Sequence, residues 1–287
     1  MASKKDRRGV KRPSGHGSNR RRQAWWQSSW LIVAAAGGLA VILVGFALLS
    51  RVSSGSQPAP STDPAVIAEV VSVDQSVTNA VGTGGLANPL TPASGGTLLT
   101  GPSGKPAVLY VGAEWCPYCA AERWSLVVAL SRFGDFEGLR YTSSSGSDVY
   151  PNTPTLSFSA SSFSSGSIDF VAVELADRDR KPLASPTAEQ NRLLQTYDPQ
   201  GGIPFVDIAN RYIGISSGYQ PSVLAGLSWK QIADSLRDPN SPVTRGIIGN
   251  ANYLTAAICQ SAGQNAAPAC SWSAIQQIGA QLPKRSG

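Results

Sequence analysis

The chain has 287 residues, 42% hydrophobic and 15% charged, a balance that suits one large or two small globular domains plus a membrane segment. Its formal net charge of +6 is local, because Lys4, Lys5, Arg7, Arg8, Lys11, Arg12, Arg20, Arg21 and Arg22 face only Asp6 in the first thirty residues; the remainder is net acidic, which leaves a nucleic-acid role for it without support. The only histidine is His16 and the only methionine is Met1, which excludes Ser/His or Cys/His hydrolysis, histidine metal sites and thioether copper ligation from the rest of the chain.

Residues 1–29 form a basic tail, and 30–50 are uncharged and rich in Ala, Leu, Val and Gly until Arg51. A span near 20 residues matches the hydrocarbon thickness of a bilayer. Trp25, Trp26 and Trp30 suit an interfacial aromatic belt, and the basic flank puts the tail in the cytoplasm and everything after the span outside. The alternative is a cleaved signal peptide, for which the apolar core is unusually long and no small-x-small site follows directly; the length favours an uncleaved anchor. The chain is therefore expected in the cell membrane as a single-pass protein whose anchor contacts lipid. Residues 51–64, with Ser, Gly, Pro and Gln, read as a flexible linker.

From residue 65 the pattern is globular. Pro64–Thr78 carries Val66, Ile67, Val70, Val71, Val73 and Val77 and predicts one helix. Residues 82–106 are loop-like, with an edge strand at Thr97–Leu99. Ala107–Val111 is a short apolar run that reads as a buried strand. It breaks at Gly112, and a helical pattern starts at Pro117, a residue suited to the first helical position, to end near Phe133-Gly134.

Between that strand and helix lies Cys116-Pro117-Tyr118-Cys119. A helix N-terminus stabilises an anion, and the thiolate is the attacking species, so Cys116 is the expected nucleophile. Cys119, three residues on, shares its helix face and is the expected resolving thiol. Half of a zinc site is the alternative, but zinc usually takes four Cys or His ligands, and Cys259 and Cys270 do not form a second such pair. No metal and no cofactor is expected; Gly82-Thr83-Gly84-Gly85 lacks the lysine and setting of a phosphate cradle.

Further on, Leu139–Thr142 is a short strand candidate. Residues 143–167 are very rich in Ser, yet Leu156, Phe158 and Ala160 alternate, as do Ile168, Phe170 and Ala172, which predicts an inserted hairpin or extended loop over the active-site rim. Phe170–Leu175 continues as a core strand, and Thr187–Tyr197 is helical, with Leu193, Leu194 and Tyr197 inward. Pro204–Ile215 forms a hairpin turning at Asn210-Arg211. Ser228 caps a helix over Trp229–Arg237, whose stripe is Trp229, Ile232, Ala233 and Leu236. A helical extension follows from about 240: Ile247, Ala251, Leu254 and Ile258 lead into Cys259, and Trp272–Leu282 closes the chain. Cys259 and Cys270 read as a structural disulfide or, less simply, a second redox pair.

Ala113-Glu114-Trp115-Cys116 with its Cys-x-x-Cys after a strand resembles the active site of the thioredoxin superfamily, and the intervening Pro-Tyr resembles the glutaredoxin version. Gly202-Ile203-Pro204 before an apolar run resembles the cis-proline loop that faces the cysteines in that fold. The whole chain, anchor included, also resembles the thioredoxin-like family of domain of unknown function 929. The resemblance implies an α/β thioredoxin-like fold, a central mixed sheet flanked by helices, with the Ser-rich insertion, the C-terminal extension and one N-terminal transmembrane helix added. It implies a membrane-anchored thiol–disulfide oxidoreductase with Cys116 and Cys119 catalytic. Trp115, Pro117, Tyr118, Ile203 and Pro204 would contact protein thiol or disulfide substrates, and a membrane electron donor or acceptor would be a partner. The alternative is a non-catalytic binding or scaffold module of the envelope. The chain departs from the family at Tyr110, where many thioredoxins carry a buried acid six residues before the first cysteine. Proton removal from Cys119 is thereby left to Glu114, water or the mixed-disulfide partner, and a slow resolving step is expected.

Overall fold

The computed structural model describes residues 60–283. The basic tail, the apolar span 30–50 and most of the linker lie outside the described residues. Among the described residues no helix is long and apolar enough to cross a membrane.

Two short helices, Pro64–Val71 and Gln75–Val81, replace the single helix expected there. Asp63 caps the first by accepting from the Ala65 N–H at 2.9 Å, and Val66 and Val70 bury its inner face. The break falls where Asp74 takes an extended conformation and starts the second helix, as a residue that favours caps over helix interiors does.

Strand β1, Leu90–Pro92, is an edge strand. The predicted strand at Thr97–Leu99 is not formed; Gly95 and Gly96 both have positive φ and turn the chain out of the strand path. Strand β2, Ala107–Gly112, is buried at every residue. Its run of apolar side chains lacks alternation because both faces are covered. Val108 and Tyr110 face the large core under the helices Pro117–Leu130 and Pro242–Ala262, while Leu109 and Val111 face Leu193, Leu194 and Tyr197 of the helix Ala188–Tyr197.

The Ser-rich stretch opens with a hairpin, Ser143 pairing with Pro154 across an extended loop, while its later part pairs with an earlier strand. Strand β3, Gly134–Glu137, and strand β4, Arg140–Ser143, each wait for a partner downstream. Strand β5, Pro154–Ser157, pairs antiparallel with β4, and β6, Ser162–Ser165, pairs antiparallel with β3. The later pairing has an aromatic reason. Phe136, Phe158, Phe163 and Phe170 form one cluster with ring centroids 5.0–6.1 Å apart, and the β3–β6 pairing sets Phe136 opposite Phe163. Leu156, Phe158 and Ile168 are buried as their alternation predicted, whereas Ala160 is exposed.

Strand β7, Asp169–Glu174, returns to the main sheet parallel to β2, with Gly112 beside Glu174. Strands β8, Phe205–Ile208, and β9, Tyr212–Ile215, form the predicted hairpin, and Ala209 and Asn210 supply the positive φ angles of its turn. The five-stranded sheet therefore runs β1-β9-β8-β2-β7, mixed in direction, with β2 in its interior. The helix Pro117–Leu130 lies in the β2-to-β7 crossover.

Ser228 caps the helix Trp229–Ser235 with a full capping box. Trp229 donates to the Thr155 carbonyl at 2.7 Å and stacks on Tyr141, which ties this helix to the β4–β5 ribbon. The helix Pro242–Ala262 buries Ile247, Ala251, Leu254 and Ile258 and is opened by Pro242 at its first turn. Cys259 near its end is bonded to Cys270, S–S 2.01 Å, and the helix Ser273–Gln281 follows.

Candidate active site

Cys116 is the N-cap of the helix Pro117–Leu130, in extended conformation, and its sulfur accepts from the Cys119 N–H at 3.2 Å. The strand β2 delivers the chain to this cap, and Pro117 begins the helix at no hydrogen-bond cost. Both cysteines are free thiols and both are buried. The Cys116 thiol donates to the Ile203 carbonyl at 3.7 Å, so the loop before β8 lies against the sulfur. The Ile203–Pro204 peptide bond is cis.

The two sulfurs differ in acidity. Cys116 is held below its ordinary 9.0 chiefly by the hydrogen bond from the Cys119 side chain, helped by backbone N–H groups and the charge of Arg123, against burial, which pushes it up. Cys119 is raised well above 9.0 by burial and by its neighbour Cys116, with Arg123 opposing. One thiol is prepared to ionise and the other to keep its proton.

The remaining predicted residues surround Cys116. Trp115 is half-buried beneath Arg180, whose guanidinium sits 3.9 Å from the indole centroid. The Trp115 carbonyl accepts from the Ser145 N–H at 2.8 Å, and Arg180 pairs with Asp148 at 3.5 Å. Tyr118 meets Tyr150 edge to face at 6.0 Å. The Ser-rich insertion thus contributes Ser145, Asp148 and Tyr150 to the rim. Pro204 accepts from the Ser216 N–H at 2.8 Å. Cys259 and Cys270 lie elsewhere, joining the last turn of Pro242–Ala262 to the turn Pro268–Ser271.

Glu114 is engaged by the β4–β5 ribbon. Its carboxylate accepts from Thr142 Oγ1 at 3.1 Å and from Ser157 Oγ, fastening the active-site turn to the β4–β5 ribbon. Two groups beside the cysteines were not singled out from the sequence. Arg123, fully buried, forms a bidentate pair with buried Glu174, Nε and Nη2 each donating over 2.7 Å. Its Cζ stands 5.7 Å from the centroid of the Tyr110 ring. The available signal was a charge at Arg123 on a helix otherwise apolar toward the sheet, matched by a charge ending the apolar strand β7. Among the described residues no group of three or more His, Cys, Asp or Glu side chains is placed to hold a metal ion.

The family model of a domain of unknown function (DUF929) matches residues 98–196, which include Cys116 and Cys119. No curated protein and no solved structure matches the chain.

Proposed function

We propose that the chain is a membrane-anchored, extracytoplasmic thiol–disulfide oxidoreductase whose globular part is thioredoxin-like. The observation that carries the reading is the pair of unequal free thiols at one helix start, with the Ile203 carbonyl against the first. The sheet order and the site of the crossover helix agree with it. So does the placement of Ile203-Pro204 across from Cys116.

In the reducing direction, the Cys116 thiolate attacks one sulfur of a substrate disulfide. The substrate S–S bond breaks, a Cys116–substrate bond forms, and the first substrate sulfur leaves as a thiolate. Cys119 then attacks the Cys116 sulfur, and its proton leaves with the second substrate sulfur. Two electrons pass to the substrate, and the closed Cys116–Cys119 bond is reopened by a membrane dithiol partner. The same steps in reverse oxidise a substrate dithiol. Trp115, Tyr118 and the insertion rim shape the docking surface, and Ile203 and Pro204 present backbone to the bound peptide.

The test is trapping. Cys119→Ser, expressed in its own cell, is expected to accumulate disulfide-linked partners on Cys116. A single observation favours the alternative of a non-catalytic envelope module: Cys116 is only 4% exposed. An absence of adducts, together with a very low reduction potential for the Cys116–Cys119 pair, would select that alternative.

A further inference from the structure

Cys119 is completely buried, so water does not reach the thiolate that the closing step of the proposed reaction requires. The neighbouring carboxylates are already engaged. Both oxygens of Glu174 accept from Arg123, and those of Glu114 accept from Thr142 and Ser157. Two donors, by contrast, are buried and unused: the Tyr110 hydroxyl and Arg123 Nη1 have no hydrogen-bond partner among the described residues. Buried donors left unmade are costly and rare in folded interiors.

Both donors come from positions that border the sulfur, and neither donates to it in the reduced structure. Arg123 follows Cys119 by four residues on one helix, which places the two on the same face. Tyr110 comes from β2 and abuts the same space. A methyl added at Gly112 would overlap the Tyr110 hydroxyl, stand 2.5 Å from its Cζ, and stand 3.1 Å from Cys119 Sγ. A glycine at 112 is thus what lets phenol and sulfur approach. The titratable and charged groups facing Cys119 are Cys116 and Arg123 from its own helix, Tyr110 from β2, and Glu174 from β7 behind Arg123.

We propose that the Tyr110 hydroxyl and Arg123 Nη1 are the donors that receive the Cys119 thiolate, with Glu174 holding the guanidinium in place from the far side. This rests on the redox reading above. As the Cys119 proton leaves, the two unused donors turn to the sulfur, and the charge that develops is met by a cation and a neutral O–H rather than by water. Burial pushes the Tyr110 phenol well above 10.0, so the tyrosine keeps its proton and acts as a donor, never as the base. The balance is complete without another reactant: Cys119–SH and the Cys116–substrate disulfide become the Cys116–Cys119 disulfide and a substrate thiol, the proton leaving on the substrate sulfur. Glu174 is a positioning residue, acting only through Arg123.

One stoichiometric aromatic disulfide, 5,5′-dithiobis(2-nitrobenzoate), separates the two steps on the reduced full chain, because each step releases one coloured thiol. Tyr110→Phe keeps the ring and is expected to leave the first release unchanged. The second release should slow by about tenfold at neutral pH, with its pH midpoint raised by about one unit. The paired change Arg123→Met with Glu174→Leu, which leaves no lone buried charge, should slow the second release at least as much. A readout free of turnover is thiolate absorbance in Cys116→Ser, where Cys119 titrates alone and Tyr110→Phe should move its midpoint upward. A second release with unchanged rate and unshifted midpoint in Tyr110→Phe, or a Cys119 titration that does not move, overturns the assignment while leaving the redox reading intact. No first release from the wild type overturns both.

Discussion

Glu122 gives the sharpest stability test. It lies three residues past Cys119, is 2% exposed, and its Oε2 accepts from Asn250 Nδ2 at 2.7 Å and from the Gly218 N–H at 3.3 Å. Burial outweighs those two hydrogen bonds and pushes its carboxyl from 4.5 to about 7. Asn250 Oδ1, also buried, has no partner among the described residues, and the neutral acid brings a donor where the carboxylate brings none. Because the folded state binds this proton more tightly than the unfolded chain, the associated stability is complete below pH 4.5 and is lost as the pH rises through about 7. The difference between those two values is worth about 3 kcal/mol. Glu122→Gln keeps an acceptor for Asn250 and Gly218 and cannot ionise. Denaturant unfolding of wild type and variant at pH 5 and pH 8 should therefore show the variant gaining on the wild type by about 2.5 kcal/mol over that interval, the rest having been lost below pH 5. Asp207, which burial also pushes to about 7, is common to both proteins and cancels. A gap independent of pH would refute the argument, since it would mean that Glu122 ionises in the folded chain as freely as in the unfolded one.

Alkylation of the reduced chain should modify Cys116 with a midpoint below 9.0 and leave Cys119 unmodified until the fold opens, because the first thiol is lowered and the second raised and buried; mapping the alkylated cysteine across pH checks both halves. Gly112→Ala should lower stability by about 1–3 kcal/mol through overpacking against Tyr110 and Cys119, and a denaturant midpoint equal to the wild type's would contradict the close approach. Replacing Cys259 and Cys270 together by Ala opens a loop of sequence separation 11 and should cost about 3 kcal/mol by loop entropy, read as a drop in unfolding free energy under non-reducing conditions.

Much of the secondary structure was written locally. The apolar run at Ala107–Val111, Pro117 at a helix start, Ser228 before a stripe, and the Asn210 turn each carry their own short-range reason, and the elements stand within a few residues of where those reasons put them. Pro242 opens a helix of 21 residues for a local reason, but nothing in its own residues announces that it packs along the helix Pro117–Leu130. The Ser-rich segment shows the same limit. Its alternation marked the buried faces at Leu156, Phe158 and Ile168, but alternation does not name the partner strand: β5 closes a hairpin with β4, whereas β6 reaches back to β3, where Phe163 meets Phe136.

The sequence by itself determined that two cysteines share one turn at the mouth of a helix, because spacing along a helix is a local property of 3.6 residues per turn. Only the tertiary structure decided what surrounds them. Glu114 turned out to serve Thr142 and Ser157, while Arg123, Glu174 and Tyr110 arrived at Cys119 from a helix and two strands. Which charges meet in an interior depends on how sheet and helix faces come together across long stretches of chain, and an electrostatic field acts through space without regard to order along the sequence.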